Sequence, residues 1–205
     1  ENSQDSVAIL GGSKISTKLS LIDSLSESMD KVILGGGIAN TCLAAKGYAV
    51  GSSLVEESMM DQAKKLAENP KIIIPETVIV SESPDKEGHV TLADSIKENE
   101  FIFDIAPEAL DDLKPILQNA GTILWNGPMG FFEKENFFNG TKKIAEMISS
   151  SKGFSVLGGG DTISAAEKAG VIDRINYVST AGGAFLEFME GKKLPAIEAL
   201  KEKVI

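Results

Sequence analysis

Five times along this chain a short aliphatic run ends in glycine ahead of a stretch with helical spacing. The glycines are Gly11-Gly12, Gly35-Gly36-Gly37, Gly127, Gly158-Gly159-Gly160 and Gly182-Gly183. This unit restricts the fold sharply. Strands that alternate with helices pair in parallel through crossovers, and the helices then cover both faces of the sheet. Continuous apolar runs predict strands at 7–10, 31–34, 71–74, 101–105, 122–125, 154–157 and 177–178. Helical spacing covers 15–26, where the apolar positions are 15, 19, 22 and 25, and then 38–46, 55–68, 107–119, 137–149, 162–169, 184–190 and 195–203. The rhythm breaks at 77–92, where two β-like runs flank the polar turn Ser83-Pro84-Asp85-Lys86-Glu87-Gly88 and predict a small antiparallel excursion. The expected fold is α/β, a doubly wound and mostly parallel sheet with helices on both faces, Rossmann-like and three-layered. No break in composition divides residues 1–205, so a single domain is expected.

Composition removes several function classes. Asp and Glu number 30 against 20 Lys and Arg, a formal net charge of −10 that repels a phosphate backbone, so no nucleic-acid partner is expected. One cysteine and one histidine leave no internal disulfide, Cys-rich zinc site or multi-His metal site. The single histidine, His89, stands beside a polar turn, a poor place for a buried base. Cys42 lies in a small apolar helical stretch and reads as inert packing. No apolar run approaches the roughly 18 residues of a membrane span, and the lead Glu1-Asn2-Ser3-Gln4-Asp5 is polar, so a cytoplasmic protein with no membrane partner is expected.

In such a sheet, ligands bind beyond the carboxyl ends of the strands, which is where the glycine clusters fall. Glycine brings backbone N–H groups close to an anion, and a helix N-terminus adds unpaired donors. Gly11-Gly12-Ser13-Lys14-Ile15-Ser16-Thr17-Lys18 adds two lysines four apart at an expected helix start, on one face and against the helix dipole. An anion between them and the glycines accounts for that arrangement; two solvated lysines are the alternative. In Gly158-Gly159-Gly160-Asp161-Thr162, Asp161 could hold Mg²⁺ and Thr162 a terminal phosphate, or either could simply cap the helix. Asn126 could donate to a phosphate oxygen, and Glu133 could accept from a ribose hydroxyl pair. Trp125 and its neighbouring phenylalanines are expected in the core. Gly35-Gly36-Gly37-Ile38-Ala39-Asn40 partly matches a dinucleotide fingerprint, with Glu56 downstream, but Asn40 stands where the third glycine belongs. A G-x-x-x-x-G-K-[ST] loop is absent. An oxidoreductase module and a ligand-free structural domain remain alternatives on these residues alone.

Taken together and in order, five motifs resemble the phosphoglycerate kinase family in its C-terminal, nucleotide-binding half. They are Ala8-Ile9-Leu10-Gly11-Gly12-Ser13-Lys14, Gly35-Gly36-Gly37-Ile38-Ala39-Asn40-Thr41, Trp125-Asn126-Gly127-Pro128-Met129-Gly130, Gly158-Gly159-Gly160-Asp161-Thr162 and Ser179-Thr180-Ala181-Gly182-Gly183-Ala184. The likeness runs from about residue 7 to about residue 199. It implies that Lys14 follows the phosphoryl group in flight, with Gly160 and Gly183 offering amides beside it. It further implies that Lys18, Asn126, Gly127, Pro128, Gly159, Gly160, Asp161 and Thr162 bind the phosphates, Glu133 the ribose, and Gly36, Gly37, Ile102 and Phe103 the adenine. Asp161 would serve Mg²⁺. ADP or ATP is the implied ligand, and 3-phosphoglycerate or 1,3-bisphosphoglycerate would bind a missing N-terminal domain through basic residues. The polar lead has the look of an excised boundary, and a monomer is expected that binds nucleotide without turnover. One departure is Ala181, where the family has a first glycine of three; alanine does not accept a positive φ readily.

Overall fold

The computed structural model describes residues 5–202. Its main sheet is parallel throughout and runs β3-β2-β1-β7-β8-β9. These strands are β1 (Ser6–Leu10), β2 (Lys31–Leu34), β3 (Ile72–Ile73), β7 (Thr122–Asn126), β8 (Phe154–Gly158) and β9 (Tyr177–Ser179). A second, antiparallel sheet joins β4 (Thr77–Ser81) to β5 (His89–Leu92) on one side and β6 (Phe101–Ile105) on the other. The excursion expected at 77–92 is therefore real but larger. Phe101–Ile105, expected to continue the main alternation, is its third strand. Its hydrogen-bonding partner is β4, antiparallel, with Val78 opposite Ile105 and Ser81 opposite Phe101.

Alternate residues of each strand face opposite ways, so two cores form. From β1, Val7 and Ile9 enter one, while Ala8 and Leu10 enter the other. The first core receives the apolar faces of α4 (Pro107–Asn119), α5 (Asn139–Ser150) and α6 (Gly160–Lys168). Leu110, Leu113 and Leu117 of α4 sit at helical spacing and are at most 2% exposed. The second core receives α1 (Leu19–Ser28), α2 (Gly36–Ala45), α3 (Met60–Glu68) and α7 (Gly183–Met189). A closing helix, α8, spans Pro195–Glu202. The three layers match the architecture expected from the sequence. Fully buried Trp125 anchors the first core, and its indole N–H donates to the Gly127 carbonyl at 2.8 Å, so the core residue also pins the loop that leaves β7. Truncating such a side chain costs about 3–5 kcal/mol.

Helix ends depart from the sequence expectation in an informative way. The helix expected at 15 begins at Leu19 instead, because Ile15 through Lys18 form a turn closed by the Lys18 amide on the Ile15 carbonyl at 2.9 Å. Lys14 and Lys18 therefore do not share a helix face. At its other end, α1 has no basic residue of its own in the last turn. Lys71, ahead of β3, supplies the charge and donates to the carbonyls of Ser26 and Met29 at 2.9 Å each. Three helices start at the glycines themselves, at Gly36, Gly160 and Gly183. Neither Asp161 nor Thr162 is a cap; that position is Gly159, at φ 99. After β9 the positive φ falls on Gly182 and Ala181 is spared it. Ala181 is thus compatible with the turn.

Candidate functional site: a cleft at the carboxyl edge of the sheet

Successive strands run outward from β1 in one direction through β2 and β3, and β7 then lies on the opposite side of β1. Two adjacent loops consequently diverge beyond the carboxyl ends of β1 and β7, the crevice where sheets of this kind take ligands. The loops are stitched together by backbone bonds. The Gly11 amide donates to the Asn126 carbonyl at 2.9 Å, that of Gly36 to the Met129 carbonyl at 2.9 Å, and that of Ile38 to the Gly12 carbonyl at 3.2 Å. Such close approach excludes side chains. A Cβ on Gly11 would collide with the Pro128 carbonyl, and Gly36, at φ 63, would put one 2.8 Å from the Gly12 carbonyl.

Beside this seam lies a cleft of about 430 Å³. Of the residues singled out in the sequence, Gly36, Gly37, Ile102, Phe103, Pro128, Glu133 and Asp161 line it. One wall is apolar and comes largely from the small sheet, through Val78, Ile102, Phe103 and Ile105. Phe103 lies 5.7 Å from Phe101 and 6.0 Å from Phe131, ring centre to ring centre, in stacked arrangement. Phe131 and Phe132 therefore contribute to the cleft, whereas Trp125 alone of that aromatic group is wholly core.

Lys18, Asn126, Gly127 and Thr162, with the carbonyls of Gly11 and Gly158, form a hydrogen-bonded platform, and Gly159 follows as the residue that opens α6 ahead of Asp161. The Lys18 ammonium donates to the Gly11 carbonyl at 2.5 Å and to Asn126 Oδ1 at 2.6 Å. Asn126 Nδ2 donates to the Gly158 carbonyl at 2.6 Å. The Gly127 amide donates to Thr162 Oγ1 at 2.7 Å, and that hydroxyl donates to the Gly158 carbonyl at 2.9 Å. Both polar ends of Asn126 and the Thr162 hydroxyl are thus engaged within the protein. The amides of Gly160, Asp161 and Thr162 stand in the first turn of α6, where a helix has no acceptor for them. Burial pushes the Lys18 ammonium down to about 8, and the nearby Asp161 carboxylate opposes that shift.

Lys14 is exposed one residue beyond Ser13, which lines the cleft, and does not line it itself. Its loop is tied down by Glu56, whose carboxylate accepts from the Ser16 amide at 3.0 Å and from the Ser16 hydroxyl; these bonds hold the Glu56 carboxyl below its usual range. Glu56, the acid downstream of the partial dinucleotide fingerprint, is thus a tether of this loop. Gly183 begins α7, outside the cleft lining. The α7 residue Phe185 packs against Gly158, close enough that a Cβ there would meet its ring. Cys42 is buried and its thiol is pushed up to about 12 by that burial, as inert packing requires.

Sequence reasoning missed Asp104. It lines the cleft yet is only 2% exposed. The signal was available as an acid inside the strand Phe101-Ile102-Phe103-Asp104-Ile105. Among the described residues no group of three or more His, Cys, Asp or Glu side chains is arranged to hold a metal. The exposed carboxylate of Asp161, on the rim of the cleft, suits the lesser demand of Mg²⁺, which takes one or two carboxylates and completes its shell with phosphate and water.

A parallel sheet between two helical layers, with a cleft at the strand-order switch where sheets of this kind take ligands, defines a Rossmann-like α/β protein. The chain belongs to the phosphoglycerate kinase family, whose profile matches residues 1–192. It is similar to the solved phosphoglycerate kinase from Coxiella burnetii, at 45% identity and a TM-score of 0.92 over 98% of this chain. It is also similar to that from Pyrococcus horikoshii OT3, at 32% identity and a TM-score of 0.84 over 98% of this chain. The chain spans 54% and 53% of those two structures, about half of each.

Proposed function

We propose that this chain is one nucleotide-binding domain that takes ADP or ATP with Mg²⁺, the C-terminal half of a phosphoglycerate kinase acting in cytoplasmic glycolysis as a monomer. One observation carries the reading. An apolar slot, a carboxylate at Glu133 and a second carboxylate at Asp161 line a single cleft, and the Lys18 ammonium and the first-turn amides of α6 adjoin it. That sequence of surfaces is complementary to a base, a ribose and a chain of phosphates. The adenine would lie against Gly36, Gly37, Ile102 and Phe103, and the ribose hydroxyls would donate to Glu133. The phosphates would lie along Lys18, Gly127, Pro128 and the amides of Gly159, Gly160 and Thr162. Asn126 would act on the phosphates by orienting Lys18.

In the complete enzyme the bond from phosphorus to the acyl oxygen of 1,3-bisphosphoglycerate breaks, and a bond to a terminal oxygen of ADP forms. The products are 3-phosphoglycerate and ATP. This chemistry needs positioning and charge neutralisation and little acid–base work, which suits a chain with one histidine. Lys14 would follow the phosphoryl group, and the amides of Gly160 and Gly183 would face its oxygens. Asp161 would hold Mg²⁺, which when bound neutralises phosphate charge. Turnover is proposed to need the half that the matched structures carry outside the aligned region, where the phosphoglycerate would bind.

The test is a thermal-shift and calorimetric series with ADP, ATP and NAD, each with and without Mg²⁺. ADP at ~100 times its Kd should stabilise the fold by ~2.7 kcal/mol, and NAD should not compete. No response to ADP or ATP up to about a millimolar, a Kd limit of roughly −4 kcal/mol of binding energy, rejects the reading. So does ATP formation from 1,3-bisphosphoglycerate by this chain alone. Asp161→Ala should weaken binding only when Mg²⁺ is present; an unchanged metal dependence returns Asp161 to a place in the helix turn.

A further inference from the structure

Asp104 is a buried carboxylate that the nucleotide reading leaves without a role. Its Oδ1 accepts from the Ile105 amide at 2.9 Å, and its Oδ2 accepts from the Gly140 amide at 2.7 Å in the first turn of α5. Gly130, in the loop after β7, lies so close that a Cβ would collide with Oδ1. On the cleft side, the Phe131 amide of the same loop donates to the Phe103 carbonyl at 2.7 Å. Within the small sheet, Ile79 pairs with Asp104 but Val80 pairs with Ile102, which leaves Phe103 as the extra residue of a bulge. Bulges re-aim side chains next to functional sites. One carboxylate therefore bonds β6, which lines the cleft, to the N-terminus of α5 behind it, and packs against Gly130 of the cleft-lining loop that leads to Glu133.

We propose that Asp104 is a positioning residue for the nucleotide, its carboxylate locking β6, the loop after β7 and α5 into a rigid backstop that sets the width of the apolar slot. This rests on the nucleotide reading above. Around the carboxylate, β4 presents Ile79, the loop presents Gly130 and α5 presents Gly140, so its partners are amides and no charged side chain is among its perturbing neighbours. The titratable groups that share the cleft are Glu133 and Asp161. Burial pushes the Asp104 carboxyl up to about 7, against the pull of the two amides. Ionisation strengthens both amide bonds, because hydrogen bonds to a charged acceptor are about twice as strong as neutral ones.

The experiment compares the chain with D104A and D104N. ADP affinity in the presence of Mg²⁺ should fall about tenfold in D104A. D104N keeps the shape and one acceptor for Gly140, and should recover most of that loss at pH 8. From pH 8 to pH 6 the wild-type affinity should drop relative to that of D104N, which has no proton to gain. A D104A chain with native circular dichroism that binds ADP within twofold of wild type overturns the proposal. Superimposable pH profiles for wild type and D104N do the same, and serve alone if D104A does not fold. Amide exchange without nucleotide separates this idea from the function it rests on. In D104N the amides of Gly140 and Phe131 should exchange faster, and unchanged exchange overturns the backstop. Failure of wild type to bind ADP rejects the nucleotide reading, and the exchange result then decides the backstop by itself.

Discussion

Lys18 and Asn126 are 108 positions apart in the chain, and the Lys18 ammonium donates directly to the Asn126 side-chain oxygen at 2.6 Å. The bond ties the loop after β1 to the end of β7, across the point where the strand order turns. The same ammonium is brought down to about 8 by burial. An ammonium held this way has three acceptors and little water, so an incoming phosphate would improve its electrostatic position considerably.

ADP binding near pH 8 should therefore take up protons. An anion beside Lys18 raises its pKa, so the bound form holds more protons than the free form in that window. Calorimetry in buffers of different ionisation enthalpy reads the number taken up, which should be at most about half a proton at pH 8, grow toward one about a pH unit higher, and vanish in Lys18→Met. Uptake that persists in Lys18→Met would move the effect to another group. Without ligand the sign runs the other way. The folded state releases the Lys18 proton near pH 8, while the unfolded chain keeps it until about 10.5. The Lys18 contribution to stability thus rises with pH across that interval, and Lys18→Met should flatten that rise.

Thr162→Val should cost stability rather than affinity alone. The methyl-for-hydroxyl exchange keeps the shape but strands the buried Gly127 amide, which now donates to Thr162 Oγ1 at 2.7 Å. Leaving a buried donor unpaired costs about 1–3 kcal/mol. Urea unfolding should show a lower midpoint with an unchanged slope. Thr162→Ser, which keeps the hydroxyl, should restore most of the difference. Equal midpoints for all three chains would mean that the Gly127 amide finds another acceptor.

Gly160 offers a cleaner separation of folding from binding. A Cβ there would meet nothing within 4 Å, and the backbone is not in the left-handed region. Packing gives no reason for glycine, whereas an approaching phosphate does. Gly160→Ala should leave the fold unchanged or steadier by about 0.5–1 kcal/mol and should weaken ADP binding. A variant that gains stability and binds ADP as before would remove the first turn of α6 from the phosphate site.

Lys14→Met belongs in a complete enzyme of the family, with both halves present. The side chain is exposed, so stability should move by no more than about 0.5 kcal/mol. Turnover should fall about 10³-fold or more, the loss typical of removing a cation that acts on a phosphoryl group in flight. The Kd for ADP should change only a few-fold. Parallel losses in turnover and affinity would make Lys14 a binding residue.

Much of this molecule was legible in one dimension because the signals were local. Continuous apolar runs marked the strands, and Pro107 at the first turn and the spacing of Leu110, Leu113 and Leu117 placed α4 at its observed limits. The glycine clusters marked the carboxyl edge, since only residues without a Cβ let the loops after β1, β2 and β7 pass at hydrogen-bond distance. What the chain order could not decide was which groups far apart would compete for one another. Lys18 stands in the turn ahead of α1, and its ammonium goes to acceptors on the loop after β1 and at the end of β7. Asn126 and the Thr162 hydroxyl were taken up by the fold, and Glu56 became the tether of the Lys14 loop. Phe101–Ile105 joined the antiparallel sheet because its backbone donors and acceptors meet β4. Asp104 acquired its place only when β6, Gly130 and α5 converged on it. Such roles depend on long-range hydrogen bonds and on the exclusion of water, and both exist only once the layers have closed.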